Sequence, residues 1–337
     1  MKAALKRPKH ASRVGIRKKA KKRPSASIAV KTHWRNSGPF LGLAANVLWG
    51  TSFLASRETL QVWSPLVSTA LRFFIALLAM IAFFPLLGFP IRRPQSTQAW
   101  LSVGIVGLTG FGLLYPLQLT GMTMISSGLS ASIMLISPIL VVLLAALLLK
   151  ESLSPTKILA VTLGALGGVV LLNPWVHFAQ SAGSRVVLGG VLMLGASAML
   201  ALSVVLTRKF KSNLDPQSLT FWSMLIGLAV ILPFTIIDVA QNGWMRSPVN
   251  INVASIAMIY LSIICSVVAF VLWNRAISLA PAKDLASSMH IKTPVAIILG
   301  IFFAGEHLTV SICFGTLVVA FAVWVSQFGL PFRRGGK

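Results

Sequence analysis

Between Pro94 and Leu149 the chain runs for 56 residues without an Asp, Glu, Lys or Arg. About 20 apolar helical residues already span the hydrocarbon of a bilayer, so this run is too long for one crossing. Gly121 to Gly128 (GMTMISSG) supplies the small and polar residues of a turn that divides it in two. Comparable uncharged segments are Asn36–Ser56, Phe73–Ile91 (its helix starting near Pro65), Ile158–Ser184, Val186–Thr207, Gln217–Ile237 and Ser247–Asn274. Leu285–Gly305, interrupted by Lys292, and Leu308–Phe332 complete the series, and the sequence predicts ten transmembrane helices with short connections. Only 11% of residues are charged, against about 25% in soluble domains. With 56% hydrophobic residues, this excludes a disordered chain, a collagen-like fibre and a disulfide scaffold. Trp34, Trp63, Trp100, Trp175, Trp244 and Trp324 fall near predicted ends, where interfacial aromatics belong.

The balance of 30 basic to 6 acidic residues, a net charge of +24, first suggests nucleic acid. Its distribution argues otherwise. Thirteen basic residues and no acid lie in residues 1–37, including the run Lys18-Lys19-Ala20-Lys21-Lys22-Arg23-Pro24. This reads as a solvated, disordered cytoplasmic tail. It is also suited to anionic lipid headgroups, at about 1 kcal/mol per basic residue near the surface. No nucleic-acid recognition fold fits in the tail. Its eight Lys to five Arg differ from an Arg-rich transit peptide, and its longest apolar stretch, Ser25–Val30, is too short for a secretory signal.

Lys and Arg in the short loops set the orientation. Loops after even-numbered helices hold Arg92, Arg93, Lys150, Lys157, Arg208, Lys209, Lys211, Arg275 and Lys283, whereas those after odd-numbered helices hold Arg57, Arg185 and Arg246. Nine against three, with basic residues in both tails, predicts both termini in the cytoplasm of an inner-membrane protein.

The second half repeats the first. At an offset of 155, Ala131-Ser132-Ile133-Met134 overlies Ala286-Ser287-Ser288-Met289, and Glu151-Ser152-Leu153-Ser154 overlies Glu306-His307-Leu308-Thr309. Ala160 and Gly167 overlie Gly315 and Ala322, small residues that let helices approach closely. Pro138 and Pro294 fall one position out of register. Earlier in each half the offset is 151, pairing Pro65 with Pro216 and Thr69 with Thr220. A unit of five helices is odd, so the second unit enters the membrane inverted. The expected fold is therefore all-α: a tail over residues 1–37, five-helix repeats over 38–175 and 185–330, and a tail over 331–337. Inverted repeats recur in secondary transporters, with the substrate near the midplane between the halves.

Trp49-Gly50 in helix 1, Arg72-Phe73 in helix 2, Lys150-Glu151 and Gly305-Glu306 closing helices 4 and 9, and Pro138 and Pro294 within those helices carry a family resemblance. Over Pro39–Ser326 the chain resembles the drug/metabolite transporter superfamily, in its ten-helix EamA-like branch. The resemblance implies a carrier, usually an exporter, of amino acids, small metabolites or drugs. The sequence departs from the family pattern at Lys150, where Gly is usual, in the shifted Pro294, and at Lys292, where the family tends to be uncharged or acidic.

Charges in the membrane interior cost at least about 2.5–3.5 kcal/mol and mark functional candidates. Arg72 lies about 10 Å along helix 2 from Pro65, and Lys292 about 13 Å along helix 9 from Lys283. Either is a substrate-binding candidate, and Arg72 can equally brace packing. Trp49, Tyr115 and Trp273 suit a midplane cavity or an interface, and His290 lies near Lys292 in sequence. Pro138 and Pro294 free the carbonyls of Met134 and His290, either lining a cavity or forming packed kinks. Glu151 and Glu306 are expected to order turns, on backbone N–H groups or on Ser154 and Thr309. The six acids fall at helix ends or in loops, which argues against a cation substrate. Cys265, Cys313 and the five scattered histidines form no metal site, there is no P-loop, and no cofactor is expected. The expected partners are a small-molecule substrate and the bilayer; the oligomeric state is open. A secondary carrier working by alternating access fits best. A non-transporting receptor or assembly protein, and an intramembrane enzyme, are the alternatives.

Overall fold

The computed structural model describes residues 26–172, 183–210, 213–280, 285, 287–307 and 309–328. Ten helices run through them: α1 (Ala26–Leu60), α2 (Pro65–Phe83), α3 (Thr97–Met122), α4 (Ser127–Leu149), α5 (Pro155–Leu172), α6 (Gly183–Lys209), α7 (Pro216–Asn242), α8 (Ile251–Leu279), α9 (Ser288–Ala304) and α10 (Val310–Phe328). Eight are long and apolar enough to cross a membrane; α5 and α9 are shorter apolar helices. The first helix starts at Ala26, within the segment read as a tail, because no Pro or Gly interrupts residues 26–37. Residues 1–25, Trp175, Lys283 and Asp284 lie outside the described ones.

The internal repeat is built into the backbone. Ser64 caps α2 by accepting from Val67 N–H, and Asp215 caps α7 from Ser218 N–H, each followed by Pro at the first helical position. Thr69 Oγ1 donates to the Pro65 carbonyl at 2.7 Å, and Thr220 Oγ1 to that of Pro216 at 2.8 Å. The third helix of each unit carries a π-helical stretch, Gly107–Leu113 in α3 and Tyr260–Val268 in α8. The fourth helix of each unit changes geometry near its Pro. In α4 the α-helical turns stop at Met134 and resume at Ser137; in α9 a 3₁₀ stretch, Ser287–Ile291, gives way to α-helix at Lys292. Both helices end in a left-handed residue, Lys150 (φ 56°) and Gly305 (φ 61°). Lys150 thus adopts the conformation that Gly supplies in the other half, at a steric cost of about 1–2 kcal/mol.

The fifth helices cross each other closely. A Cβ at Gly167 would lie 2.7 Å from Val319 Cγ2 and 3.0 Å from the Val319 nitrogen. One at Gly315 would lie 2.8 Å from Leu171 Cγ and 2.9 Å from the Leu171 nitrogen. Only glycine admits this approach from both sides.

The described segments that follow α1, α7 and α9 meet at one end of the molecule. Arg246 N–H donates to the Val62 carbonyl at 2.8 Å, and Arg57 pairs with Glu306 at 2.7 Å. At the other end the segment after α2 meets the start of α7: Trp222 Nε1 donates to the Arg92 carbonyl at 2.9 Å, and Arg92 N–H to Ser218 Oγ at 2.9 Å. The second is here called the basic end and the first the far end. Between them the perimeter exposes Phe74, Leu78, Ile81, Phe234, Ile236, Phe302 and Leu317, an apolar belt suited to lipid.

Candidate functional site

Two intramembrane cations, one from each half, face the interface between the halves. Arg72 of α2 is 2% exposed. Its Nε donates to Ser266 Oγ at 2.8 Å, and Ser266 Oγ donates to the Leu261 carbonyl, five residues back, at 2.9 Å. That i−5 bond belongs to the π-helical stretch of α8, so the irregular backbone presents the group that holds Arg72. The guanidinium carbon lies 4.8 Å from the centre of the Tyr115 ring.

From Tyr115 a path of aromatic rings crosses the molecule. Tyr115 stacks on Phe111 with centroids 6.1 Å apart, Phe111 lies 5.7 Å from Phe270, and Phe270 meets Trp49 edge-on at 5.3 Å. Trp49 also contacts Trp273 at 5.7 Å, and its indole N–H donates to the Cys265 carbonyl at 3.1 Å. Lys292 Nζ closes the path, 5.8 Å from the centre of the Trp49 ring. Lys292 is only partly buried and stands where the 3₁₀ stretch of α9 becomes α-helical. Trp49, Tyr115, Trp273, Arg72 and Lys292 therefore share one site, fed by α1, α2, α3, α8 and α9.

Among the described residues neither cation has a carboxylate within ion-pair distance, Arg57–Glu306 being the one such pair. A cation–π contact returns about 0.5–2 kcal/mol. Placing a charge at the membrane centre costs more than that. Among the described residues the two cations of the site are therefore not balanced by a carboxylate.

The other candidates lie elsewhere. His290 Nε2 faces Gln327 Oε1 of α10 at 3.4 Å, whereas Lys292 faces α1, so the two do not form an acid–base pair. Pro138 frees the Met134 carbonyl, and Ser137 Oγ takes it up at 2.7 Å. Pro294 is exposed at the start of α9's α-helical part. Glu151 is exposed at the basic end. Glu306 lies at the far end, where its carboxylate accepts from Ser127 N–H at 2.7 Å, Gly128 N–H at 3.0 Å, the Ser127 hydroxyl and Arg57. Its partners are thus the first turn of α4 rather than Thr309, which caps α10 through Ile312 N–H. Burial pushes the Glu306 carboxyl up, but the Ser127 hydroxyl, the two N–H groups and Arg57 outweigh it and hold it below the ordinary glutamate value.

Sequence reasoning did not single out Phe111, Phe270 or Ser266. Their one sequence signal is glycine spacing: Gly107, Gly110 and Gly112 sit in an apolar helix, where they accommodate irregular turns and close approach to α6 and α7. Two hollows lie outside the site. One of about 380 Å³ is at the far end beside Arg57 and Glu306. The other, of about 820 Å³, is an apolar groove between α2 and α7 on the lipid-facing side.

Two inverted five-helix units, broken helices and a polar site between the halves define a multi-pass membrane transporter. The sequence pattern of the EamA-like transporter family matches residues 36–173 and again 187–327. The chain belongs to that family, within the drug/metabolite transporter superfamily. A WAT1-related chloroplastic protein of Arabidopsis thaliana is 27% identical over 285 residues, covering 83% of this chain and 67% of its own. A protein of Escherichia coli named "Probable amino-acid metabolite efflux pump" is 23% identical over 305 residues, 88% and 97% of the two chains. One of Streptantibioticus cattleyicolor named "Probable terminal-alkyne amino-acid exporter" is 24% identical over 290 residues, 86% and 93%. A protein of known crystal structure shares the fold, with a TM-score of 0.58 at 20% identity over 89% of this chain and 99% of its own. The two bacterial relatives are named as an efflux pump and an exporter, which with the family match sets the chain among carriers and not enzymes.

Proposed function

We propose that the protein exports a small amphipathic metabolite carrying a carboxylate, of the amino-acid or organic-acid kind, across the cytoplasmic membrane by alternating access. The observation that carries this reading is the pair of intramembrane cations, Arg72 and Lys292, at the two ends of one aromatic path and without carboxylate partners among the described residues. A substrate carboxylate would neutralise the surplus charge, and its apolar part would lie on Trp49, Phe270 and Phe111. Cations from opposite halves can both engage the ligand only when the halves approach, which links binding to movement of one repeat against the other. The basic end faces the cytoplasm, following the Lys and Arg bias of its loops. The names of the bacterial relatives support an amino-acid-like cargo and outward direction.

Counterflow in proteoliposomes, loaded in turn with amino acids, organic acids and their esters, tests this. Flux of carboxylates, with their methyl esters excluded, is the expected result. Counterflow of cations alone would overturn the substrate class, and an absence of counterflow across the panel would favour a receptor.

A further inference from the structure

We infer that Glu306, Arg57 and the first turn of α4 form the latch of an outer gate, and that this gate is shut in the structure. The inference rests on the alternating-access reading above and extends it to a part of the molecule remote from the substrate site. Glu306 belongs to the second repeat, Arg57 and Ser127 to the first. One carboxylate, its side chain 9% exposed, therefore ties the two halves together through an ion pair and bonds to two N–H groups and a hydroxyl. Charge-assisted bonds of this kind are the strong ones.

Beneath the latch the far-end halves of α4 and α9 interlock. All of Ser127–Ile133 is buried. A Cβ at Gly128 would lie 3.7 Å from Ile297 Cα, and one at Gly300 only 3.3 Å from Ser127 Oγ. Thr293 Oγ1 donates to the Ala131 carbonyl at 3.2 Å.

The repeat supplies an internal control. At offset 155 the mate of Glu306 is Glu151, and at offset 151 the mate of Arg57 is Arg208. Both are exposed at the basic end, and neither forms an ion pair among the described residues. In the 3₁₀ stretch of α9, Ser288 Oγ accepts from Asn46 of α1 and donates to the Leu285 carbonyl, and His290 faces Gln327 of α10. Equivalent residues are engaged at the far end and disengaged at the basic end. In an inverted-repeat carrier that difference marks a far-end gate that is shut, and the latch must break for that end to open.

Two measurements test this in a Cys265→Ala, Cys313→Ala background. First, the pair Gly128→Cys and Ile297→Cys is placed across α4 and α9, at a separation suited to a disulfide. Oxidation should join the pair and arrest flux, and reductant should restore it. Failure to cross-link, or undiminished flux in the fully cross-linked protein, overturns the latch. Second, Ser130→Cys, one turn below it, should react slowly with a membrane-impermeant thiol reagent added outside. Glu306→Gln should raise that rate at least about tenfold, as expected for losing charged bonds; an unchanged rate overturns the proposal. The labelling arm needs no transport. An absence of flux in the protein with both native cysteines would therefore count against the carrier reading alone, while the latch is still decided.

Discussion

Arg72 Nε donates to Ser266 Oγ at 2.8 Å, joining α2 of the first repeat to the π-helical stretch of α8 in the second. Ser266 meets this donor while giving its own proton to the Leu261 carbonyl, so both roles of the hydroxyl are in use. The irregular turn, the buried cation and the contact between the halves are one structural unit.

Substituting Ser266→Ala should then do more than remove a hydroxyl. A hydrogen bond to a charged group contributes about 1.5–3 kcal/mol, and its loss leaves the Arg72 guanidinium short of a partner. Counterflow should fall by about tenfold or more, while the amount of protein in the membrane stays within about twofold. Ser262→Ala, on the same stretch but bonded only to the Met258 carbonyl, is the control and should transport near the parent rate. Equal loss in both variants would show that the stretch acts through packing alone.

The fifth helices make a prediction about stability. Gly167→Leu must displace Val319 or its backbone, and Gly315→Leu must displace Leu171. Overpacking of this sort costs about 1–3 kcal/mol, so each should lower the melting temperature in detergent by several degrees. Gly104→Ala meets nothing within 4 Å and sits in a helical turn, so it should leave the melting temperature unchanged or slightly raised. Equal thermal stability of all three would mean that α5 and α10 do not cross as described.

Much of this was legible in the sequence, for identifiable reasons. Uncharged runs of spanning length fix the helices, because hydrocarbon tolerates no unpaired backbone. The offsets of 151 and 155 exposed the repeat, since caps such as Pro65 with Thr69 recur as Pro216 with Thr220. Arg72 and Lys292 stood out because intramembrane charge is scarce. The aromatic path did not stand out. Phe111 and Phe270 are ordinary residues in an apolar chain, and it is the packing of α3 against α8 that brings their rings within 5.7 Å. The partners of Glu306 were likewise hidden, since Arg57 and Ser127 lie 249 and 179 residues away in sequence.

Glu306 also gives the latch a pH dependence. Its folded-state value is depressed, so the carboxylate stabilises the shut far end above the ordinary glutamate value of 4.5 and loses that effect as pH falls through the depressed one. Labelling of Ser130→Cys from outside, taken relative to that of an exposed far-end cysteine at Asn242 to cancel the loss of thiolate in acid, should be flat from neutral pH to about 5 and rise only in stronger acid. In Glu306→Gln the acid-induced rise should vanish. A rise centred near pH 6–7 would assign the effect to another group.

Topology can be checked at the loops that the structure groups together. Single cysteines at Gln95, on the basic end, and Asn242, on the far end, should be labelled from opposite sides of the membrane, Gln95 from the cytoplasm. Removing residues 2–25 should not change this, because Lys31, Arg35 and the basic loops remain. Labelling of both positions from one side would break the alternation of the ten helices.

Lys292 and Ser137 occupy equivalent places in the repeat and perform different tasks. Ser137 turns inward on its own helix, where its hydroxyl takes up the Met134 carbonyl freed by Pro138. Lys292 reaches out of α9 to the face of Trp49. The break in the fourth helix of each unit therefore does not require a cation, and the charge at Lys292 is specific to the second half. Lys292→Met keeps the length and apolar stem of the side chain and removes the charge, so the helix break should persist and the protein should reach the membrane in normal amount. Flux of a carboxylate substrate should drop at least about tenfold, since a charge-assisted bond is lost. Lys292→Arg should recover little, because the planar guanidinium has a different shape and donor geometry from a compact ammonium. Ser137→Ala gives up one neutral bond, worth about 1 kcal/mol, and should change flux far less. If Lys292→Met moves substrate at the parent rate, the ammonium group is a packing feature and the substrate carboxylate is held elsewhere, with Arg72 the remaining cation in the site.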